Sequence, residues 1–274
     1  MLYTGNNLRI TINNLTVSYT DDGLENAPSI VFIHGFPLNK SMWSKQIDAL
    51  KDSYRVITYD VRGHGNTDNG TDEFSIELFV NDLLCFMDTM KIDKTLLCGF
   101  SMGGYIALNA VIDHPKRFSA LILADTNCTA DMPETILNRM RTIAILKEGT
   151  VGKFADESLR KLFCSESIAN NIAEIELIRA MIVKTSKQSI CSTLRALAAR
   201  GETCSKLPVV KIPVLILVGK EDRITPAEAA TIMHDKMKGS KLHVIEHAGH
   251  LSSIENPGEF NEQLKKFLSS LKQK

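Results

Sequence analysis

A serine, a histidine that takes its proton and a carboxylate that holds the histidine together make an oxygen nucleophile at neutral pH. The chain offers such a serine in Gly99-Phe100-Ser101-Met102-Gly103-Gly104, between the apolar run Thr95-Leu96-Leu97-Cys98 and a helical pattern from Tyr105 to Val111. A Gly-x-Ser-x-Gly turn from strand to helix is so tight that the positions two before and two after the serine must be small, and Gly99 and Gly103 meet that need. The Ser101 hydroxyl then stands at the top of a sheet beside a helix N-terminus, where a developing anion is stabilised. The competing reading is an ordinary strand–turn–helix corner with a chance serine, and what decides is whether the partners follow in order.

For a nucleophile on such a turn the chain order is serine, acid, histidine. Gly219-Lys220-Glu221-Asp222 directly follows the apolar run Val214-Leu215-Ile216-Leu217-Val218, so Asp222 is the favoured acid and Glu221 is read as solvent-facing. Asp125 also ends a strand and is its rival. In Glu246-His247-Ala248-Gly249-His250, His250 is the favoured base, because it follows Ala-Gly in a loop free to lean toward the serine. His247 is nearer the strand end and reads as structural. The tetrahedral oxyanion needs two backbone N–H groups: that of Met102, and that of Phe36 in His34-Gly35-Phe36-Pro37 after the run Ser29–Ile33. His34 is expected to hold this loop by hydrogen bonding. His64 lies in a Gly-rich turn, His114 ends a helix, and His234 and His243 read as surface residues. No His, Asp or Glu group has metal-ligand spacing, so neither a metal nor a cofactor is expected.

These residues need a scaffold that brings loop ends together. Leu8-Arg9-Ile10-Thr11-Ile12 and Leu15-Thr16-Val17-Ser18-Tyr19 alternate around Asn13-Asn14, which predicts a hairpin, and residues 21–28 read as a loop. Buried strands at 29–33, 54–59, 95–98 and 120–124 then alternate with helical patterns at 41–50, 76–90 and 105–111. Such alternation predicts a parallel sheet covered by helices on both faces. From 127 to 207 only helical periodicities occur: 136–147, 154–163, 167–184 and 189–200. The strand 214–218, a helix 227–237, a strand 241–245 and an amphipathic helix carrying Phe260, Leu264, Phe267 and Leu271 close the chain. The expected organisation is a core of residues 1–126 and 208–274 with a helical cap, residues 127–207, inserted over the sheet edge where ligands bind. On the cap, Ile136, Met140, Ile143 and Leu146 form a stripe that serves as a pocket wall or as packing.

The 274 residues carry 32 basic and 32 acidic side chains, so no charge balance points to nucleic acid or an anionic membrane. No run is long enough to span a bilayer and no signal peptide is read at the N-terminus. The six cysteines (85, 98, 128, 164, 191 and 204) show no metal-like spacing. Cys85 and Cys98 read as packed thiols, no disulfide framework is expected, and the expected location is the reducing cytoplasm.

Taken together, His34-Gly35-Phe36-Pro37, Asp60-Val61-Arg62-Gly63-His64-Gly65, Gly99 to Gly104, Gly219 to Asp222 and Ala248-Gly249-His250 resemble the α/β-hydrolase superfamily over essentially the whole chain. Ala248 to Pro257, Asp125 to Ala130 and Thr193-Leu194-Arg195-Ala196-Leu197 are similar to the 3-oxoadipate enol-lactonase and carboxylesterase group. The resemblance implies an α/β fold and cofactor-free hydrolysis of a small or medium ester or lactone, with Ser101, Asp222 and His250 catalytic and the Phe36 and Met102 N–H groups as oxyanion hole. Serine rather than aspartate at the nucleophile position argues against dehalogenase and epoxide-hydrolase chemistry. Perhydrolysis, C–C bond cleavage and slow-turnover ligand sensing share the same triad and stay open, as does the oligomeric state. Arg139, Arg141, Arg179 and Arg195 are candidates to meet a substrate carboxylate.

Overall fold

The protein's computed structural model describes residues 2–271; Met1 and residues 272–274, the outer ends of the expected core, lie outside them. β1 (Leu2–Ile12) and β2 (Leu15–Leu24) form an antiparallel hairpin that pairs Ile12 with Leu15. Its two-residue turn needs left-handed backbone at both positions, and Asn13 and Asn14 adopt φ of 45° and 59°. β2 continues through 21–24, where the sequence predicts a loop. Asp21 is buried there because Arg55 donates from Nε to Oδ1 and from Nη2 to Oδ2, so a charged stretch stays in the ladder.

β3 (Ser29–Ile33), α1 (Ser44–Leu50), β4 (Arg55–Tyr59), α2 (Ile76–Thr89), β5 (Thr95–Phe100), α3 (Met102–Asp113) and β6 (Phe118–Ala124) follow in the alternation the sequence predicts. Five helices come next: α4 (Pro133–Glu148), α5 (Val151–Leu162), α6 (Ser165–Asn170), α7 (Ile172–Lys184) and α8 (Lys187–Ala199). The periodicity at 167–184 predicts one helix; the backbone breaks at Asn171 (φ −105°, ψ 53°), and Cys164 caps α6 by accepting the Ser167 N–H on its sulfur. β7 (Val214–Gly219), α9 (Ala227–Lys236), β8 (Lys241–Ile245), α10 (Ser252–Glu255) and α11 (Pro257–Leu271) complete the chain.

The eight strands lie in the order β1-β2-β4-β3-β5-β6-β7-β8, parallel from β4 to β8, with the hairpin antiparallel at one edge. Successive side chains of β3 to β7 enter different cores. Val31, Ile33 and Leu97 pack with Phe79, Leu83 and Ile106 of α2 and α3. Ile30, Phe32 and Cys98 pack with Leu50 of α1 and Phe260 and Leu264 of α11. Burial on both faces explains why these strands read as unbroken apolar runs. β4 and β5 leave β3 on opposite sides, and ligand sites in open α/β sheets form at the carboxyl ends beside such a reversal.

One cysteine expectation is corrected. Cys128 and Cys204 form a disulfide across 76 residues of sequence. No spacing rule signals this bond: the fold brings the two ends of the α4–α8 stretch together, and the Thr203 N–H donates to the Cys128 carbonyl at 2.8 Å. Cys98 is buried and free, and Cys85 is half-buried and free. Among the described residues, no helix is long and apolar enough to cross a membrane.

Candidate active site

Ser101 stands between β5 and α3 with φ 51° and ψ −113°, a conformation non-glycine residues rarely adopt and one that costs roughly 1–3 kcal/mol. The neighbourhood holds it there. A Cβ on Gly99 would collide with the Gly103 carbonyl, and one on Gly103 with the Ile33 carbonyl, so strand, turn and helix can close only with glycine at both. The Ser101 N–H donates to Ala124 at 3.0 Å, and the Thr126 hydroxyl donates to the Ser101 carbonyl at 2.8 Å.

The Ser101 hydroxyl lies 2.9 Å from His250 Nε2, and His250 Nδ1 lies 2.8 Å from Asp222 Oδ2. Asp222 follows β7 and is buried. Burial alone would raise its pKa, but the His250 ring and the hydrogen bonds from His250 and Thr225 bring the carboxyl below the ordinary carboxylate range. Its Oδ1 accepts the Ile224 and Thr225 N–H groups at 2.8 and 2.9 Å, and its Oδ2 accepts the Thr225 hydroxyl at 2.8 Å. An ionised carboxylate only accepts, so His250 Nδ1 carries the proton. Nε2 is then left as the acceptor facing Ser101. The Phe100 ring, 5.1 Å from the His250 ring, covers the imidazole.

Asp125 belongs to a different network. Its Oδ1 accepts the Gly219 N–H at 2.8 Å, and Ser252 Oγ lies 2.5 Å from its Oδ2. His247 is exposed and meets Glu166 of α6 at 2.9 Å. His243 pairs with Glu259, and His234 with Ser240.

On the other side of Ser101 lies the loop after β3. The Val61 N–H donates to His34 Nε2 at 2.9 Å, so Nδ1 carries the proton and donates to the Gly35 carbonyl at 2.9 Å. Burial, and then neighbouring His64, push the His34 pKa down to about 3, so the ring stays neutral. A Cβ on Gly35 would press on the Phe100 ring. Phe36 and Met102 both line the cavity that holds Ser101 and His250. The Met102 N–H lies in the first turn of α3, where no intrahelical acceptor exists.

That cavity measures about 280 Å³. Its far wall comes from Thr135, Asn138, Arg139 and Thr142 of α4, Phe154, Ser158, Lys161 and Leu162 of α5, and Leu194 and Leu197 of α8. Of the stripe read as pocket wall or as packing, Ile143 and Leu146 are buried against Ile190 and Leu194, while Ile136 and Met140 are exposed. Of the four candidate arginines, only Arg139 reaches the cavity. Its Nε donates to Asp131 Oδ2 at 2.5 Å, while Arg200, stacked on the Tyr105 ring, donates to Asp131 Oδ1 at 2.6 Å. One carboxylate thus serves two guanidinium groups. Sequence reasoning did not find Thr225, Thr126, Asp131 or Arg200. The only advance sign for Thr225 is its place three residues after Asp222, where a hydroxyl can turn back to its own loop.

Residues 28–257 match the family profile described as alpha/beta hydrolase fold. The chain belongs to the α/β-hydrolase fold family. Within it, the chain is 32% identical over 256 residues to 3-oxoadipate enol-lactonase 1 of Acinetobacter baylyi, covering 93% of this chain and 94% of that protein. A thermophilic esterase from Thermogutta terrifontis, in its malate-bound structure, superposes with a TM-score of 0.91 at 30% identity, over 96% of this chain and 98% of the esterase. The enol-lactonase from Burkholderia xenovorans LB400 gives 0.90 at 27% identity, over 96% and 100%.

Proposed function

We propose that this chain is a cofactor-free serine hydrolase that cleaves small to medium carboxylic esters or lactones through an acyl-enzyme. The observation that carries the reading is the continuous hydrogen-bonded chain Ser101–His250–Asp222 opening into a cavity of about 280 Å³. The similarity to an esterase and to enol-lactonases supports it.

His250 Nε2 takes the Ser101 proton as Oγ attacks the acyl carbon, and Asp222 stabilises the imidazolium that forms. The Phe36 and Met102 N–H groups receive the tetrahedral oxyanion, each donor contributing ~3 kcal/mol to transition-state stabilisation. His250 then protonates the leaving alcohol, or the ring oxygen of a lactone, and afterwards activates the water that releases the acid. In this reading residues 127–207 act as a cap over the core, and Arg139 and Lys161 give its cavity a cationic end. That end suits an acyl group bearing a second carboxylate.

The test is initial rates on p-nitrophenyl esters of increasing acyl length, with Ser101→Ala beside the wild type. Fast turnover of short chains, abolished in Ser101→Ala, is the expected result. Turnover that survives in Ser101→Ala would overturn the reading.

A further inference from the structure

Resting on this reading of the site, we propose that Glu255 is a positioning residue for His250, and that it joins the base loop to the inserted helices. Glu255 closes α10, five residues after the base. Its Oε1 accepts the Gly249 N–H at 2.9 Å and the Leu251 N–H at 3.2 Å, gripping the backbone on both sides of His250. Its Oε2 accepts the Cys164 N–H at 2.8 Å, from the junction between α5 and α6. Between these contacts the His250 N–H itself donates to the Leu162 carbonyl at 2.9 Å. The base therefore hangs from a cradle made by one carboxylate and the end of α5.

The fit leaves no slack. A Cβ on Gly249 would press on the Cys164 nitrogen and the Phe163 carbonyl carbon at 2.7 and 3.0 Å, so glycine alone allows the loop to sit this close to residues 162–164. Leu162 also lines the cavity. The same residue thus borders the cavity and holds the base loop with its carbonyl. Nucleophile, acid and base sit on separate loops. Those of Ser101 and Asp222 are fixed by the sheet and their own turns; the His250 loop is tied to the Asp222 loop by the Glu221 N–H on the Ala248 carbonyl and to Asp125 through Ser252, and Glu255 adds the link from both sides of the base to the end of α5. A displacement of about 1 Å in a reacting group can cost on the order of a hundredfold in rate. A carboxylate suits the task because both oxygens accept. An amide satisfies one side of the cradle and turns an N–H₂ toward the donors of the other.

The experiment measures kcat and KM on a short p-nitrophenyl ester for wild type, Glu255→Gln and Glu255→Ala, normalised to folded protein. The downfield proton NMR signal of the His250–Asp222 hydrogen bond is recorded for each. The expected result is a kcat loss of about tenfold for Glu255→Gln and about a hundredfold for Glu255→Ala, with KM within threefold and the downfield signal broadened or shifted. Glu255→Gln keeps the shape of the side chain and carries the test if Glu255→Ala does not fold. A kcat per folded molecule within twofold of wild type, or a loss confined to KM, overturns the proposal. Absence of Ser101-dependent turnover in the wild type would instead refute the hydrolase reading, and the NMR signal would still report whether Glu255 positions the ring.

Discussion

Asp125 and Ser252 are joined at 2.5 Å across 127 residues of sequence, and both are fully buried. Asp125 thereby ties the end of β6 to the segment just after His250, and through the Gly219 N–H to the start of the Asp222 loop. Burial, and then the nearby Asp222 charge, push its carboxyl well above the ordinary carboxylate range. The folded state therefore keeps to higher pH a proton that the unfolded chain releases at the ordinary carboxylate value. The stability this proton confers is complete below that value and is lost as pH rises through the folded pKa. Asn is the neutral isostere. Asp125→Asn is expected to keep kcat within about threefold and to gain stability relative to wild type as pH rises from 4 to 8. Asp125→Ala leaves two buried groups unpaired at roughly 1–3 kcal/mol each. Thermal melts at both pH values decide; an Asn variant that melts like the Ala variant would show that the charge itself is required.

Asp222 has the opposite sign. Its folded pKa is lowered, so the stability it confers is present above the unfolded value and is lost as pH falls through the folded one. Asp222→Asn should lose stability at pH 7 but not at the acid end. It should also lower kcat by about 10³–10⁴, because the imidazole then takes the wrong tautomer. Melts and initial rates across pH test both halves separately.

Lys40 is buried against Asp60, with its ammonium 2.9 Å from Oδ2 and 2.9 Å from the Ser18 hydroxyl. Asp60 also accepts the backbone N–H groups of Lys40 and Asn66, so it fastens the segment after Pro37 to the turn after β4. Removing one partner of a buried pair strands the other charge. Lys40→Met is expected to cost roughly 3–5 kcal/mol, and Lys40→Met with Asp60→Asn substantially less. Urea denaturation of the two variants checks this. A double variant no better than the single one rejects the pairing argument.

Cys128 and Cys204 cross-link the chain where the helical stretch leaves and rejoins the sheet. A reducing compartment would keep them as thiols. In protein purified without reductant, a peptide map should recover the Cys128–Cys204 pair. Reduction, or Cys128→Ser, should then lower stability by about 2–4 kcal/mol through the freed loop of the unfolded chain. Recovery of both cysteines as free thiols would remove this bond from the account.

The tight turn at Ser101, the strand ends and the meeting of Ser101, Asp222 and His250 were legible because each depends on local signals: a glycine pair, an apolar run, an Asp or Ala-Gly directly after it. The hairpin at Asn13-Asn14 was legible for the same reason. Asp21 inside β2 was not, since only its cross-strand partner Arg55 explains a buried charge there. Nor was the cavity wall on α4. The 3.6-residue stripe of Ile136, Met140, Ile143 and Leu146 marks an apolar face without saying what faces it, and the cavity takes the adjoining face of Thr135, Arg139 and Thr142. Asp131, shared by Arg139 and Arg200, joins residues far apart in the chain, and no periodicity records that.

Arg139 is where substrate choice becomes testable. It lines the cavity, while its partner Asp131 is also held by Arg200 at 2.6 Å. Burial acts to raise the Asp131 pKa, but the two guanidinium groups bring it below the ordinary carboxylate range. Removing Arg139 therefore leaves Asp131 paired, and the Arg139→Met variant should fold. A hydrogen bond from a charged donor to a substrate carboxylate contributes ~1.5–3 kcal/mol. The expected outcome is a fall of about tenfold or more in kcat/KM for a p-nitrophenyl hemi-ester of a dicarboxylic acid. The neutral p-nitrophenyl ester of the same length should change by less than about threefold, because it makes no use of the charge. Raising ionic strength should narrow the gap only modestly, since the pair forms inside the cavity rather than on the surface. If both esters fall alike, Arg139 shapes the cavity and does not read a carboxylate.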